Sequence, residues 1–382
     1  MNLKIKLGIA AILFAAISSI ISAQSSTEDG VKPYGQVRAY AGYVNQSKDL
    51  TETKSDTDYY SKLTTARIGL KGRYSNIDLL AELAVNSYGS SANSVITRKY
   101  YAVWNATDKL KVKIGQDDAP YTFYSSSITN DISYVGLGST SQPRDVQIQI
   151  NYGGAYASIL NPKEPSKIGA IDDAKYWDVV SPKIAAGYEF KTDDGNIKFG
   201  AGVAFASFKI DSNDNAALDG INGKRANGIL GYAHTNLKFG EFTAQANFGY
   251  GINTGLLGIA YSGSFVSTPT SAVKSAGLSS NPEIKTNGNG FEKTTIIEGY
   301  IELGYKFQSF EIRSGAGYVQ AKNKQWDKID SQIGYFLQAK IPVVEGRFNI
   351  IPEVFYLDLK KDKNGDKEGH ELVAGSLFQI IF

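Results

Sequence analysis

The last residues of the sequence, HELVAGSLFQIIF at positions 370–382, alternate between two sets of side chains and end on an apolar one. Steps of two back from the end give Phe382, Ile380, Phe378, Ser376, Ala374 and Leu372. The other set contains Gln379. A period of two predicts a β-strand, and chain ends usually fray unless something holds them. The stretch therefore predicts a strand that must pair with another part of the chain.

The same alternation recurs along the chain in short segments with one apolar or aromatic face and one polar face. In GQVRAYAGY, residues 35–43, Val37 and Tyr43 share one face and Arg38 lies on the other. Such segments predict sixteen strands, at residues 34–44, 60–74, 76–88, 95–106, 109–116, 143–151, 154–161, 181–191, 196–209, 225–239, 241–252, 292–308, 309–322, 328–341, 347–359 and 371–382. The connections alternate between short turns and long loops, of which 253–291 is the longest.

This pattern of strands and connections is typical of one class of protein. Long loops count against a compact soluble domain. Outer-membrane barrels combine an even number of antiparallel strands with short turns at one end and long loops at the other. Closing the sheet also satisfies every backbone group in hydrocarbon. We therefore predict an all-β transmembrane antiparallel barrel over residues 24–382, in which the last strand closes on the first and its apolar face meets lipid. Loop 253–291 is predicted to be extracellular and to lie outside the pore.

The beginning of the sequence predicts export. Lys4 and Lys6 precede residues 7–23, which carry no charge, and polar residues follow. This order predicts a secretory signal peptide over residues 1–23, since the apolar run is shorter than the roughly 20 residues of a membrane helix. We therefore expect the protein in the outer membrane of a Gram-negative (diderm) bacterium.

Composition excludes several classes of function. The chain has no Cys, so it has no disulfides, thiolate chemistry or Cys-bound zinc. Removing the two lysines of the signal segment from the 40 basic residues leaves 38, which equals the 38 acidic residues. A protein that binds nucleic acid usually carries a basic surface. We therefore expect no nucleic-acid partner.

Three stretches of the chain resemble Gram-negative general porins. ARIGLKG at 66–72, LLAELAV at 79–85 and TRKYYAVWNATDKLKVKIGQDDAPYTFY at 97–124 are similar to the second to fifth strands of that family and the start of its third loop. The resemblance implies a homotrimer of sixteen-stranded barrels, each with a water-filled lumen that a constriction loop, residues 117–142, narrows from inside. It also implies that Phe382 is part of the signal read by the barrel-assembly machinery. Two departures are a missing PEFGG-like stretch and Gln116 in place of an Arg.

The alternation and the resemblance together indicate candidate residues for the constriction. Basic residues lie on the polar register of the first five strands and at the start of the sixth, and acidic residues lie in the loop that would face them. The candidates are Arg38, Arg67, Lys71, Arg98, Lys113, Asp117, Asp118, Asp131 and Arg144. Opposed charges across a narrow aqueous gap create a transverse field. The alternative is that these side chains are solvated wall residues, because any aqueous lumen is polar.

We expect no catalysis, no cofactor and no metal. The only histidines are His234 and His370, and no nucleophile motif stands near either. DKNGDKEGHE at 362–371 resembles a calcium loop, but Lys367 and Val373 occupy the positions at which an EF-hand needs Gly and Glu. A solvated turn is the better interpretation of this segment.

The expected function is passive diffusion of small hydrophilic solutes and ions through an outer-membrane porin, surrounded by outer-membrane lipid or lipopolysaccharide. Two alternatives remain open. One is a substrate-selective channel, although Tyr40, Tyr100 and Tyr232, interpreted as inward aromatics, are too scattered to predict a sugar pathway. The other is a structural or adhesive surface barrel whose long loops, especially 253–291, bind a partner.

Overall fold

The structure is a computed structural model, and it describes residues 30–51, 56–63, 66–86, 94–122, 127–128, 144–162, 177–211, 220–259, 261–262, 277–286 and 288–382. The predicted signal peptide, Asp131 and most of loop 117–142 lie outside these ranges. The described residues include two short helices with defined bounds, α1 (Lys48–Thr51) and a 3-10 helix (Thr254–Leu257). Neither of them is long and apolar enough to cross a membrane.

Antiparallel strands make up most of the described chain. They are β1 (Gly30–Gln46), β2 (Asp56–Leu63), β3 (Ala66–Tyr74), β4 (Ile77–Asn86), β5 (Ser94–Asn105), β6 (Leu110–Asp118), β7 (Arg144–Tyr152), β8 (Ala155–Leu160), β9 (Trp177–Lys191), β10 (Ile197–Ile210), β11 (Arg225–Phe239), β12 (Phe242–Ile252), β13 (Tyr261–Ser262), β14 (Gly277–Leu278), β15 (Glu283–Ile284), β16 (Phe291–Glu292), β17 (Thr295–Lys306), β18 (Glu311–Lys322), β19 (Asp330–Val344), β20 (Phe348–Asp358) and β21 (His370–Ile381). The short strands β13 to β16 form two small two-stranded sheets between residues 261 and 292.

Strand β1 closes the sheet into a barrel because it pairs on both of its edges. On one edge, residues 36–46 pair antiparallel with residues 381–371 of β21. On the other edge, residues 30–36 pair with β3 and residues 39–46 pair with β2. Strands β2 and β3 thus share one position, and the 17 strands of the sheet form a closed barrel of 16 positions. The predicted sixteen-stranded antiparallel barrel is confirmed.

Several predicted strand boundaries differ from the structure by three or four residues, and prolines lie near some of them. β1 begins at Gly30 rather than at residue 34, and it contains Pro33. β9 begins at Trp177 rather than at residue 181, and the pairing register shifts beside Ser181 and Pro182. Proline has no backbone N–H to donate, so it interrupts the sequence signal of a strand. The barrel strand nevertheless continues through both sites.

Exposure of the side chains distinguishes the outer face of the barrel from the inner face. The outward positions carry exposed apolar residues, such as Ile114, Val203 and Phe248, each more than half exposed. Inward neighbours on the same strands are more buried. In β21, Ile380 is exposed and Leu377 is buried, so the register predicted to be apolar and outward lies on the outside.

The apolar core lies within the barrel, toward the end that carries the long loops. Inward side chains at that end are buried and apolar, and loop residues including Leu50, Tyr121 and Leu256 pack among them. The inward members are Val44, Ile210, Leu230, Ile296, Val319, Leu357 and Val373. The sequence reasoning expected a polar inner face along the whole barrel. This expectation is wrong for the loop end, because loops that fold inward give apolar side chains a partner there.

Candidate functional site

Loop 117–142 leaves β6 and reaches the other side of the lumen. The backbone N–H of Ser127 donates to Glu302 Oε2 on β17 at 2.9 Å. The guanidinium of Arg313 on β18 donates to Ser127 Oγ at 2.8 Å and to Glu302 Oε1 at 3.0 Å. These contacts connect the loop to two neighbouring strands through one carboxylate and one guanidinium, so the loop is anchored by charged side chains.

The position of the anchor shows that the loop spans the barrel. Strands β7 to β12 and β17 separate β6 from β18 on one side. On the other side, β19 to β21, β1, the shared position of β2 and β3, β4 and β5 separate them. The same number of positions lies on each side, so β6 and β18 are opposite in the barrel. Ser127 therefore lies across the lumen from the strand that carries its loop.

The first residues of the loop pack against a second inward-folded segment. The hydroxyl of Tyr121 donates to the carbonyl oxygen of Leu257 at 2.7 Å, and Tyr121 is fully buried. Leu257 belongs to the 3-10 helix that follows β12, and Leu256 beside it approaches Gly228 on the inner face of β11. The hypothesis that loop 253–291 lies outside the pore is thus wrong for its first residues. This hydrogen bond joins two loops that are distant in sequence, so no local sequence pattern could have predicted it.

The sequence analysis placed Asp117 and Asp118 in the loop. In the structure, both residues lie at the end of β6. Asp117 faces Asp145 across the strand pair, and Asp118 faces Arg144. The ammonium group of Lys99 lies 3.0 Å from Asp117 and 2.5 Å from Asp118. Three further contacts complete the charged cluster: Lys113 with Asp117 at 2.7 Å, Arg144 with Asp118 at 3.2 Å, and the amide of Gln147 with the Asp118 carbonyl at 3.0 Å. Both acids therefore belong to the wall that they were expected to face.

Arg98 faces the lumen because of an irregularity in the strand pairing. Glu82 pairs with Lys99 and Leu83 pairs with Thr97, which leaves Arg98 as the extra residue of a bulge. A bulge re-aims the side chain it contains. The Arg98 Nε lies 2.6 Å from Glu82 Oε1, and the Tyr34 hydroxyl donates to Glu82 Oε2 at 3.1 Å. Arg98 thus lies on the predicted face, although simple alternation on β5 would not put it there together with Lys99.

The structure places the remaining candidates at separate points on the same wall. Arg38 is buried on the inner face of β1, and Arg67 lies across from Gln36 on β3. The Lys71 ammonium group lies over the Tyr34 ring, 5.9 Å from its centroid. Arg38, Arg67 and Lys71 share the inner wall with the charged cluster.

One of the three aromatics interpreted as inward has the opposite orientation. Tyr100 is exposed on the outer face of β5, whereas Tyr40 and Tyr232 are buried inside. The bulge at Arg98 changes the parity of β5, which explains the error. After the bulge, the outward positions of β5 include Tyr100 and Trp104, and Trp104 is also exposed on the outside.

Several charged residues of the lumen were missed by the sequence reasoning. Lys183 on β9 is fully buried and lies 2.9 Å from Asp145. Arg313 could have been found from the alternation of FEIRSGAGY, in which it shares the register of Glu311. Ser127 could not have been found in this way, because a loop residue has no parity.

The inner charges are distributed unevenly around the barrel. The basic candidates lie on β1, β3, β5, β6 and β7, where Glu82, Asp117 and Asp118 pair with some of them, whereas Glu298, Glu302 and Glu353 lie buried on the inner faces of β17 and β20. Low-dielectric walls strengthen the field between such groups.

Residues 362–371, which resemble a calcium loop in sequence, form a turn in the structure. The carboxylate of Asp362 accepts hydrogen bonds from the backbone N–H groups of Asn364 and Asp366, both at 2.9 Å. Gly365 has a φ of 95°, which favours glycine. The segment forms a turn closed by its own side chain. Within the described residues, no group of three acidic or histidine side chains is placed to hold a metal ion.

Comparison with known proteins shows the fold of the chain. No protein-family model and no curated protein matches the sequence. The structure is similar to the outer-membrane channel DcaP of Acinetobacter baumannii, with a TM-score of 0.66, 14% identity, and coverage of 94% of this chain and 99% of that one.

Two other solved structures are also similar. OmpT of Vibrio cholerae, in its trimer form, has a TM-score of 0.56 and 13% identity, with 93% of this chain and 100% of that one covered. An anion-selective porin from Comamonas acidovorans has a TM-score of 0.55 and 14% identity, again over 93% and 100% of the chains. The resemblance to outer-membrane porins is thus confirmed at the level of the fold.

Proposed function

We propose that this barrel is an outer-membrane channel through which small hydrophilic solutes and ions diffuse passively, without catalysis. The observation that carries the proposal is the contact of Ser127 with Glu302 and Arg313, which brings the loop after β6 across the lumen. A loop that crosses an otherwise open barrel narrows it and sets the size of the solutes that pass. Charged groups at the narrowing favour hydrated polar solutes over apolar ones.

The proposal includes the surroundings of the protein. The exposed apolar outer face suits outer-membrane lipid, and long loops at one end and short turns at the other suit the outer surface and the periplasm. Export by the signal peptide of residues 1–23, assembly through Phe382 and a homotrimeric state complete the proposal. These three features rest on the sequence and on the resemblance to general porins.

A thiol-labelling experiment tests the channel and its constriction together. The chain has no Cys, so a single introduced thiol is the only reactive one. We expect the purified protein to conduct ions in a planar bilayer, and the conductance of unlabelled Ser127→Cys is the baseline for the labelling. A charged methanethiosulfonate reagent should then lower the conductance of Ser127→Cys by roughly half, because the added group fills the narrowest part of the pore.

Ser309→Cys is the matched control. Ser309 is exposed in the turn that joins β17 and β18, so it belongs to the same two strands at their other end. Labelling there should leave the conductance unchanged. A folded barrel that gives no ion current would contradict the channel and favour the surface-barrel alternative. A current unaffected by labelling at position 127 would contradict the constriction.

A further inference from the structure

A basic surface lies on the outside of the barrel at the long-loop end. It comprises Lys360, Lys361 and Lys367, in the connection between β20 and β21, and His370, at the start of β21, and we call it the basic rim. All four residues are exposed. Lys360 is paired with Asp358 at 2.5 Å. This pair accounts for one of the three lysines of the basic rim, which leaves Lys361 and Lys367.

The backbone holds these two lysines side by side. Lys361 and Lys367 form an isolated antiparallel β-bridge, which makes them direct cross-strand partners. No ion pair joins either ammonium group to another of the described residues. Like charges directly opposite each other destabilise a strand pair. A bound anion between the two ammonium groups would remove this repulsion.

An apolar and aromatic surface continues from the basic rim toward the middle of the barrel. Across β18 to β21, the register aligns Tyr318 with Ile333, Ile333 with Asp358, and Asp358 with His370. One step further from the loops, it aligns Tyr335 with Tyr356. All of these side chains are on the outer face. The surface thus changes from cationic to aromatic along the barrel axis. This order of basic and aromatic residues is typical of the interfacial zones of membrane proteins.

A cavity joins the two kinds of surface. It has a volume of about 710 Å³ and is lined by Lys361, Lys367 and His370 together with Tyr318, Ile333 and Tyr356. This volume lies within the range of ligand sites in proteins. Asp49 and the paired Asp358 are the carboxylates in its lining. The cavity therefore offers a cationic pole and an apolar pole to one ligand.

We propose that this cavity binds a lipid of the surrounding membrane through a phosphate of its head group. The phosphate lies between Lys361 and Lys367, and an acyl chain follows the apolar surface over Ile333 and Tyr335. Lysine binds phosphate as a point charge, and basic residues at a membrane surface attract anionic lipid head groups. The inference rests on the membrane location proposed above and adds a lipid class and a site to it.

The test is a titration of the detergent-solubilised, full-length barrel with short-chain lipids. The probes are dihexanoyl phosphatidic acid, dihexanoyl phosphatidylcholine and inorganic phosphate, with dissociation constants from calorimetry. We expect the phosphatidic acid to bind about tenfold more tightly than either of the other two probes. The variant Lys361→Gln with Lys367→Gln should bind the phosphatidic acid as weakly as the phosphatidylcholine.

The control is Lys285→Gln with Lys293→Gln, an identical change of charge at two exposed loop lysines that do not line the cavity. It should bind like the unaltered protein, and all variants should remain compact in cold detergent. Equal binding of the two lipids, or unaltered binding by the Lys361 and Lys367 variant, would overturn the site. Inorganic phosphate binding as tightly as phosphatidic acid would overturn the lipid assignment. Because no current is measured, a barrel that binds lipid but does not conduct contradicts the channel only.

Discussion

Two arginine–carboxylate pairs on neighbouring strands show how strongly burial determines the contribution of an ion pair to the stability of the barrel. Arg98–Glu82 and Arg73–Asp78 both have a shortest contact of 2.6 Å. The side chains of the first pair are 10% and 8% exposed, and those of the second are 56% and 37% exposed. Water screens the exposed pair, whereas removal of one partner from the buried pair leaves a charge without sufficient compensation.

We therefore expect Arg98→Ala to destabilise the barrel and Arg73→Ala to leave it nearly unchanged. Breaking a buried pair costs roughly 3–5 kcal/mol and an exposed pair roughly 0–1 kcal/mol. The measurement is the temperature at which the barrel unfolds in detergent, followed by gel mobility or by far-UV circular dichroism. Equal unfolding temperatures for the two variants would show that Glu82 is compensated by other groups of the inner wall.

Among the elements, β21 closes the barrel through its very end. The N–H of Phe382 donates to the Gly35 carbonyl at 3.0 Å, and the N–H of Gly35 donates to the Phe382 carbonyl at 2.8 Å. The Phe382 ring lies against Gly35, where a β-carbon would clash with it. The ring is also 62% exposed on the outer face, where it can be recognised. The closing pair thus depends on both the backbone and the side chain of this residue.

Deletion of Phe382 should accordingly reduce insertion into the outer membrane by about tenfold or more, with protein accumulating in the periplasm. It removes two hydrogen bonds of the closing pair and the exposed aromatic ring. Surface levels measured by fractionation provide the test, and Phe382→Tyr, which keeps both features, should insert normally. Normal levels of the deletion variant would show that the terminal aromatic is dispensable in this barrel.

The two inward-folded loops form a second element-scale unit. Tyr121 connects them, because its ring is buried among apolar residues and its hydroxyl bonds to Leu257. We expect Tyr121→Ala to loosen the base of the loop and to raise single-channel conductance, and Tyr121→Phe to have a smaller effect. The control is Tyr152→Ala on the outer face, where the side chain is 63% exposed. Unaltered conductance in a folded Tyr121→Ala barrel would place the constriction elsewhere.

At the scale of the whole molecule, the uneven charge of the inner wall predicts an ion preference that depends on Asp117 and Asp118. Neutralising both with Asn would leave Lys99, Lys113 and Arg144 without these acidic partners. The zero-current potential in a salt gradient should then shift toward anions. The shift should decrease at high salt, because the Debye length falls from about 10 Å at 0.1 M to about 3 Å at 1 M.

The control for this prediction is Asp193→Asn with Asp194→Asn, an adjacent acidic pair exposed in the turn between β9 and β10. It makes the same change of charge at the end of the barrel, where water screens it. A shift as large as that of the Asp117 and Asp118 variant would show that total charge, and not the constriction, determines selectivity.

The sequence by itself determined the barrel, the closing strand and the face of most inner residues. All three follow from an alternation with a period of two, which is a local property that covalent geometry imposes on every strand. Arg38, Arg67 and Lys113 lie inside as this rule predicts.

Only the tertiary structure decided where the alternation rule fails and which loop segments fold into the barrel. The bulge at Arg98 turned Tyr100 outward, because an extra residue on one strand matters only relative to its partner. The contacts of Ser127 with Glu302 and of Tyr121 with Leu257 join residues 175 and 136 positions apart. Such contacts form because the closed sheet brings distant segments into one lumen, and no periodicity of a short segment records that enclosure.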